Sequence, residues 1–244
     1  MTGSFVLTFD AEWAPDFVVL DVARQLVDRR VKATWFVTDE NPSLSFLRAH
    51  ADLFELGIHP NFRPGSSHGA TVDAVLAHCM AMVPEARSMR THGLVQSTQI
   101  LARVLATTPI RVDSSLLLPY AKSLAVTPFT WARQTLLRVP YFWEDDSELQ
   151  KDDPIFGLDF IDEADPGLKV FDFHPLAIAV NYCRDGQLDY LAQNGIPWQN
   201  ATREHVATLT DRSRPGSATM FQTLLDRFER GVGSLTVSEA AILG

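Results

Sequence analysis

Apolar residues in this chain follow two rhythms: short runs that stop at a polar residue, and longer stretches with helical spacing. Residues 4–9 form a run of β-formers closed by Asp10, which predicts a buried strand presenting its acid at the C-terminal end. Residues 16–30 carry Val19, Leu20, Ala23, Leu26 and Val27 at helical spacing, predicting a helix with Asp16 as its N-cap. A second strand is read at 32–38, a helix capped by Ser43 at 43–50, and a third strand at 53–58 that ends at His59. A helix at 71–82 precedes a brief strand at 88–90. Another helix near 98–105 precedes a strand at 110–112 that ends at Asp113. Then the rhythm breaks. Residues 116–165 are rich in Pro, Asp and aromatics and read as long loops around a strand at 136–142. Residues 168–173 form a clear late strand ending at His174, and 217–230 a closing helix.

Strands alternating with helices imply βαβ units and a parallel sheet. The expected fold class is α/β, with residues 1–244 as a single domain. Asp10, His59, Arg90, Asp113 and His174 each close a predicted strand. In a closed or nearly closed parallel barrel those ends share one face, where substrates bind.

Composition narrows the choice of partner. Hydrophobic residues make up 46% of the 244 positions, enough to bury a core and to exclude a disordered chain. A formal charge of -9 with no Lys/Arg cluster excludes nucleic acid. No apolar run approaches the roughly 20 residues needed for a membrane span, and the opening residues show no export signal. Cys79 and Cys183 read as buried or free thiols, so a cytoplasmic protein is expected. The sequence sets no oligomeric state.

The chemistry-bearing residues fall in four segments. Asp10 and Glu12 lie two positions apart, so on a continuing strand they would point to one side. One could then bind a metal while the other serves as a base. His59 and His68 bound a loop containing Pro60, Pro64 and Gly65, and two imidazoles with a carboxylate suit Zn²⁺ with an open position for water. Ordinary structural histidines are the competing account. Arg90 could hold Asp10 in a bidentate ion pair; nearby His92 is ambiguous. His174 follows an apolar strand and could protonate a leaving group. Nucleotide-binding glycine loops are missing from the sequence.

Together these segments resemble the polysaccharide-deacetylase superfamily, the NodB-homology domain of carbohydrate esterases. The resemblance rests on Leu7-Thr8-Phe9-Asp10, Ala33-Thr34-Trp35-Phe36-Val37, Glu55-Leu56-Gly57-Ile58-His59, Arg90, Val112-Asp113 and Phe173-His174, covering about residues 4–178. Gly57-Ile58-His59-Pro60-Asn61-Phe62 and the loop to His68 are similar to the WbmS-type branch of O-antigen clusters. The resemblance implies a distorted (β/α)7 barrel, a divalent metal, often zinc, and hydrolysis of an N-acyl, chiefly N-acetyl, amino sugar or glycolipid. It implies Asp10 as base, His59 as metal ligand, Arg90 orienting Asp10, and His174 as an acid tuned by Asp113. Two positions depart from the family pattern. Ala11 stands where a second acid is usual, which makes Glu12 the candidate ligand. His68 lies farther from His59 than the usual second histidine.

The expected metal set is therefore Glu12, His59 and His68 with Asp10 nearby, and backbone N–H groups near Gly93 are candidates for holding an oxyanion. Trp13, Phe62, Tyr141 and Trp143 are candidate rim aromatics for a sugar ring. Two alternatives remain open: hydrolysis of a non-carbohydrate amide on the same metal site, and a non-catalytic carbohydrate-binding protein on a degenerate barrel.

Overall fold

The computed structural model describes residues 4–162 and 164–243. The strands are β1 (Phe5–Asp10), β2 (Ala33–Val37), β3 (Phe54–Ile58), β4 (Ser88–Met89), β5 (Val112–Asp113), β6 (Thr127–Trp131), β7 (Gln134–Arg138), β8 (Trp143–Glu144), β9 (Lys169–Phe173) and β10 (Ser234–Leu235). The α-helices are α1 (Asp16–Asp28), α2 (Ser43–Ala49), α3 (Val72–Met82), α4 (Thr98–Thr107), α5 (Asp145–Glu148), α6 (Pro175–Val180), α7 (Asp189–Gln193), α8 (Arg203–Leu209), α9 (Ser217–Glu229) and α10 (Val237–Leu243).

The sheet runs β6-β7-β5-β4-β3-β2-β1-β9-β8, with β10 beside the start of β1. Every pairing is parallel except the β6–β7 hairpin. Strands β7 and β8 are two parts of one extended stretch that joins the ends of the sheet. Its first part pairs with β5, where Val139 N–H donates to the Asp113 carbonyl at 2.8 Å. Farther on, Tyr141 bridges Leu117, and Phe142 N–H donates to the Val170 carbonyl of β9 at 3.2 Å. With that stretch taken as one stave, the parallel strands form the expected distorted (β/α)7 barrel.

Alternation along β1 and β9 decides what faces the barrel interior, because successive side chains in a strand point to opposite faces. Phe5, Leu7 and Phe9 pack outward with Val19, Leu26 and Phe221 under the helices. Val6 packs inward with Phe36, Val112, Tyr141 and Val170. Thr8 lies opposite Asp172 in the β1–β9 register, so this same face carries polar groups toward the upper end. The interior is greasy below and charged above.

Local chemistry explains most element boundaries. Thr71 caps α3 by accepting from Ala74 N–H at 3.2 Å, and Ser97 caps α4 through Ile100 N–H at 3.2 Å. The two caps expected at Asp16 and Ser43 move by one residue. Pro15 and Pro42 occupy the cap positions, and the Asn41 side chain accepts the Ser43 N–H at 3.0 Å. Proline fixes φ and lacks an N–H that the first helical turn would leave unpaired, so it suits a helix entrance. Helices α5 to α8 and α10 are four to seven residues long. They are too short for a periodic apolar stripe to register in the sequence.

Candidate active site

Glu12 lies just past the end of β1, and its carboxylate gathers three histidines. His59, at the end of β3, places Nε2 2.6 Å from Glu12 Oε1. His92 brings its Nδ1 into hydrogen-bond contact with the same oxygen. His174 Nε2 stands 3.9 Å from Glu12 Oε2. Burial works against ionisation of Glu12, but hydrogen bonds from His59 and His92 and the charges of His59 and His174 outweigh it. The carboxyl is held far below its usual range. His92 sits in a short 3₁₀ turn (His92–Leu94), and Gly93 adopts φ +55° there, a left-handed conformation that glycine accepts without strain. Trp13 meets the His92 ring edge-on, with centroids 5.2 Å apart.

Beneath this group lies Arg90, fully buried at the end of β4. Its guanidinium is held between the rings of Phe36 and Tyr141, 4.7 and 4.2 Å from their centroids. Nη1 donates to Asp10 Oδ1 at 3.0 Å, to Thr8 Oγ1 at 2.9 Å and to Asp172 Oδ1. Nε and Nη2 donate to the Ser114 carbonyl and hydroxyl at 2.9 and 3.0 Å. Arg90 thus holds Asp10 through one N–H rather than the expected bidentate pair, and it also holds a second carboxylate, Asp172. Burial pushes the Asp172 carboxyl up, Arg90 pulls it down, and Asp10 adds to the rise; it stands well above the usual range. Asp172 Oδ2 and His59 Nδ1 are both buried without a hydrogen-bond partner; Asp10 Oδ2 lies 3.7 Å from that Nδ1.

His174 is gripped by Asp145, the first residue of α5. Its ring Nδ1 lies 2.7 Å from Asp145 Oδ1, and its backbone N–H donates to Oδ2 at 3.0 Å. Burial disfavours the imidazolium, yet Asp146, Asp145 and Glu12 raise its pKa well above the ordinary histidine value. Neighbouring Glu144 is pushed up to about 8 by burial and by Asp146.

Several expectations are corrected by these contacts. Asp113 does not reach His174. It accepts from Ser115 Oγ at 2.5 Å and from Arg138 Nε at 2.7 Å, bracing β5 against β7, while Asp145 takes the place beside His174. His68 is not brought to Glu12 either. Its Nδ1 accepts the Asn61 N–H at 3.2 Å, and its ring stacks on His78 with centroids 4.9 Å apart. Burial and the His78 charge lower its pKa, so it clasps the loop as a neutral ring. The metal-capable group that contains Glu12 and His59 is completed by His92, with ligand atoms all within 4.8 Å. Asp10 belongs to a neighbouring group with Asp172 and His174 and not to that one. Of the expected rim aromatics, Tyr141 and Trp143 are fully buried and Phe62 packs on the core; Trp13 alone lies beside the histidines. His92 was ambiguous in sequence because it follows a strand of only two residues. Asp145 lay in the irregular stretch, and no pattern singled it out.

This is the barrel of the polysaccharide deacetylases. The sequence profile of the WbmS-like polysaccharide deacetylases matches residues 7–191, and the chain belongs to that family. Among solved structures it is similar to a candidate polysaccharide deacetylase involved in O-antigen biosynthesis from Bordetella bronchiseptica. That match has 33% identity over 93% of this chain and 91% of the other, with a TM-score of 0.77. Lower similarity is found to a family 4 acetyl xylan esterase from Clostridium thermocellum in complex with a cobalt ion (14% identity, 98% and 91% coverage, TM-score 0.46). A family 4 pseudoenzyme from Bacillus anthracis is comparably distant (13% identity, 98% and 66% coverage, TM-score 0.48). No curated protein matches the chain. Among the described residues, no helix is long and apolar enough to cross a membrane.

Proposed function

We propose that the protein is a metal-dependent hydrolase that removes the N-acyl group, chiefly N-acetyl, from an amino sugar during O-antigen synthesis. The observation that carries this reading is the meeting of His59 and His92 on one oxygen of Glu12, with His174 facing the other. Two imidazoles and a carboxylate are a donor set suited to Zn²⁺ with an open position, and Glu12, His59 and His92 would hold it. The unpartnered Nδ1 of His59 beside Asp10 also fits a ligand whose far nitrogen faces a carboxylate. Bound there, a divalent ion would polarise the amide carbonyl and acidify a water molecule.

The chain's own residues supply the proton transfers. Asp10, aimed by Arg90, takes a proton from the attacking water as its oxygen bonds to the acyl carbon. His174, held charged by Asp145 and Asp146, delivers a proton to the departing nitrogen as the carbon–nitrogen bond breaks. Asp145 occupies Nδ1, so the proton given up is the one on Nε2, the atom that faces Glu12. Both cysteines are buried free thiols, which supports work in the reducing cytoplasm on a biosynthetic intermediate. Acetate release from N-acetyl amino sugars, assayed with and without a chelator, tests the proposal. Metal-loaded protein that releases acetate from none of them would sink it.

A further inference from the structure

A cleft of about 450 Å³ opens beside the reacting groups, with Glu12 and His174 in its lining. That size falls within the usual range of small-molecule pockets, about 300–1,000 Å³. Its walls come from α5, from the start of α6, and from the chain that runs through Tyr182 and α7 to Trp198. This segment follows His174 and plays no part in the proposed proton transfers.

The lining has a definite chemical character. Tyr182 and Trp198 offer flat apolar faces with polar tips, and Leu149, Leu176 and Leu188 add apolar surface. Gln150, Asp146, Asp185 and Asp189 offer hydrogen-bonding groups, the three aspartates as acceptors. Among the described residues that line it, His174 is the single basic one, and no Lys or Arg is present. Burial raises the pKa of the Tyr182 hydroxyl, and Asp185, Asp146, Asp145 and Asp189 add to the rise. Three of those carboxylates, Asp146, Asp185 and Asp189, line the cleft itself. Sites that hold phosphate or carboxylate use Arg forks, Lys or exposed helix N-termini. Here α6 opens with Pro175, which has no N–H, and α7 opens with Asp189.

We propose that this cleft is a subsite for an uncharged sugar residue adjoining the N-acyl sugar, and that it excludes acidic sugars and sugar phosphates by charge. The assignment rests on the deacetylase reading for which sugar sits at Glu12. Ring faces of the neighbouring residue would lie on Tyr182 and Trp198, while its hydroxyls donate to the aspartates.

Binding can be tested apart from catalysis. The zinc-loaded full chain carrying Asp10→Asn would be titrated calorimetrically with N-acetylglucosamine, N,N′-diacetylchitobiose and the glucuronic acid–N-acetylglucosamine disaccharide. The neutral disaccharide should bind about tenfold more tightly than the monosaccharide, and the acidic one no more tightly than the monosaccharide. Trp198→Ala should abolish the disaccharide's advantage. Asp185→Lys combined with Asp189→Lys should strengthen binding of the acidic disaccharide about tenfold. The subsite is overturned if the acidic disaccharide matches the neutral one, if Trp198→Ala leaves the advantage intact, or if none of the probes binds. Acetate release by the unsubstituted chain is read separately. An active enzyme indifferent to the neighbouring charge would remove the subsite and leave the deacetylase reading standing.

Discussion

Asp145 holds His174 at two atoms, the ring Nδ1 at 2.7 Å and the backbone N–H at 3.0 Å. The double contact fixes both the direction of the imidazole and the state of its inner nitrogen, leaving Nε2 for chemistry. It also ties α5 to the end of β9, so a helix of four residues gains a function that its length alone would not suggest.

The raised pKa of His174 gives a pH prediction with a definite sign. A general acid works while protonated, so turnover should persist through neutral pH and fall as pH rises through the His174 pKa. That pKa lies well above the ordinary histidine value, with Asp146, Asp145 and Glu12 opposing burial. Asp145→Asn removes one of those charges, so the alkaline limb of kcat should move to lower pH. NMR titration of the His174 ring should follow the same shift. An alkaline limb unmoved by Asp145→Asn would detach His174 from the acid role.

Metal content should separate His92 from His68. Glu12→Gln, His59→Ala and His92→Ala should each cut bound zinc sharply from about one ion per chain, as expected of a three-ligand site. His68→Ala should keep its zinc, because that ring faces Asn61 and His78. It should lose stability instead, since the buried Asn61 N–H then lacks its acceptor, at a cost of about 1–3 kcal/mol. Elemental analysis and denaturant unfolding read the two effects. Zinc lost with His68→Ala and kept with His92→Ala would restore the loop histidine as the ligand.

Asp10→Asn keeps the size of the side chain and removes its basicity. Turnover should fall by roughly 10²–10⁴, the usual worth of a positioned proton transfer. Zinc content should hold, because Asp10 stands outside the Glu12–His59–His92 group. Equal loss of zinc and of activity would make Asp10 a ligand.

The barrel was legible because its strands are apolar runs that stop at functional residues, and β1, β3 and β9 stop where expected, one residue before or at Asp10, His59 and His174. Period-two alternation placed Asp10 and Glu12 on one side in sequence, yet the strand ends at Asp10. Glu12 reaches the histidines from a turn, where alternation no longer governs direction. His68 misled because nearness along a loop does not set where a ring points. Asp113 misled because a strand end in a barrel has two neighbours, and the nearer cation, Arg138, came from a hairpin that the pattern only half revealed. The region after His174 gave no warning of its short helices, two of which, α6 and α7, contribute to the walls of the cleft.

Arg90 makes the sharpest claim about stability. It is fully buried and serves Asp10, Asp172, Thr8 and Ser114 at once, packed between Phe36 and Tyr141. Replacing one partner of a buried ion pair leaves the other uncompensated, which typically costs about 3–5 kcal/mol. Arg90→Met preserves much of the volume between the two rings, so its cost should come mainly from the stranded carboxylates. Asp172 already stands well above the usual range, and Arg90, ahead of His174, is the larger of the two charges that pull it down. Without that cation, the folded-state pKa of Asp172 should climb further above its unfolded value. A carboxyl raised in this way favours the folded state while protonated and loses that contribution as pH rises through the folded pKa. The stability deficit of Arg90→Met should therefore be largest at neutral and alkaline pH and shrink on acidification. Chemical unfolding of both proteins across pH 5 to 9 reads this directly. A deficit that stays constant with pH would mean that Arg90 matters for packing alone and that Asp172 does not depend on its charge.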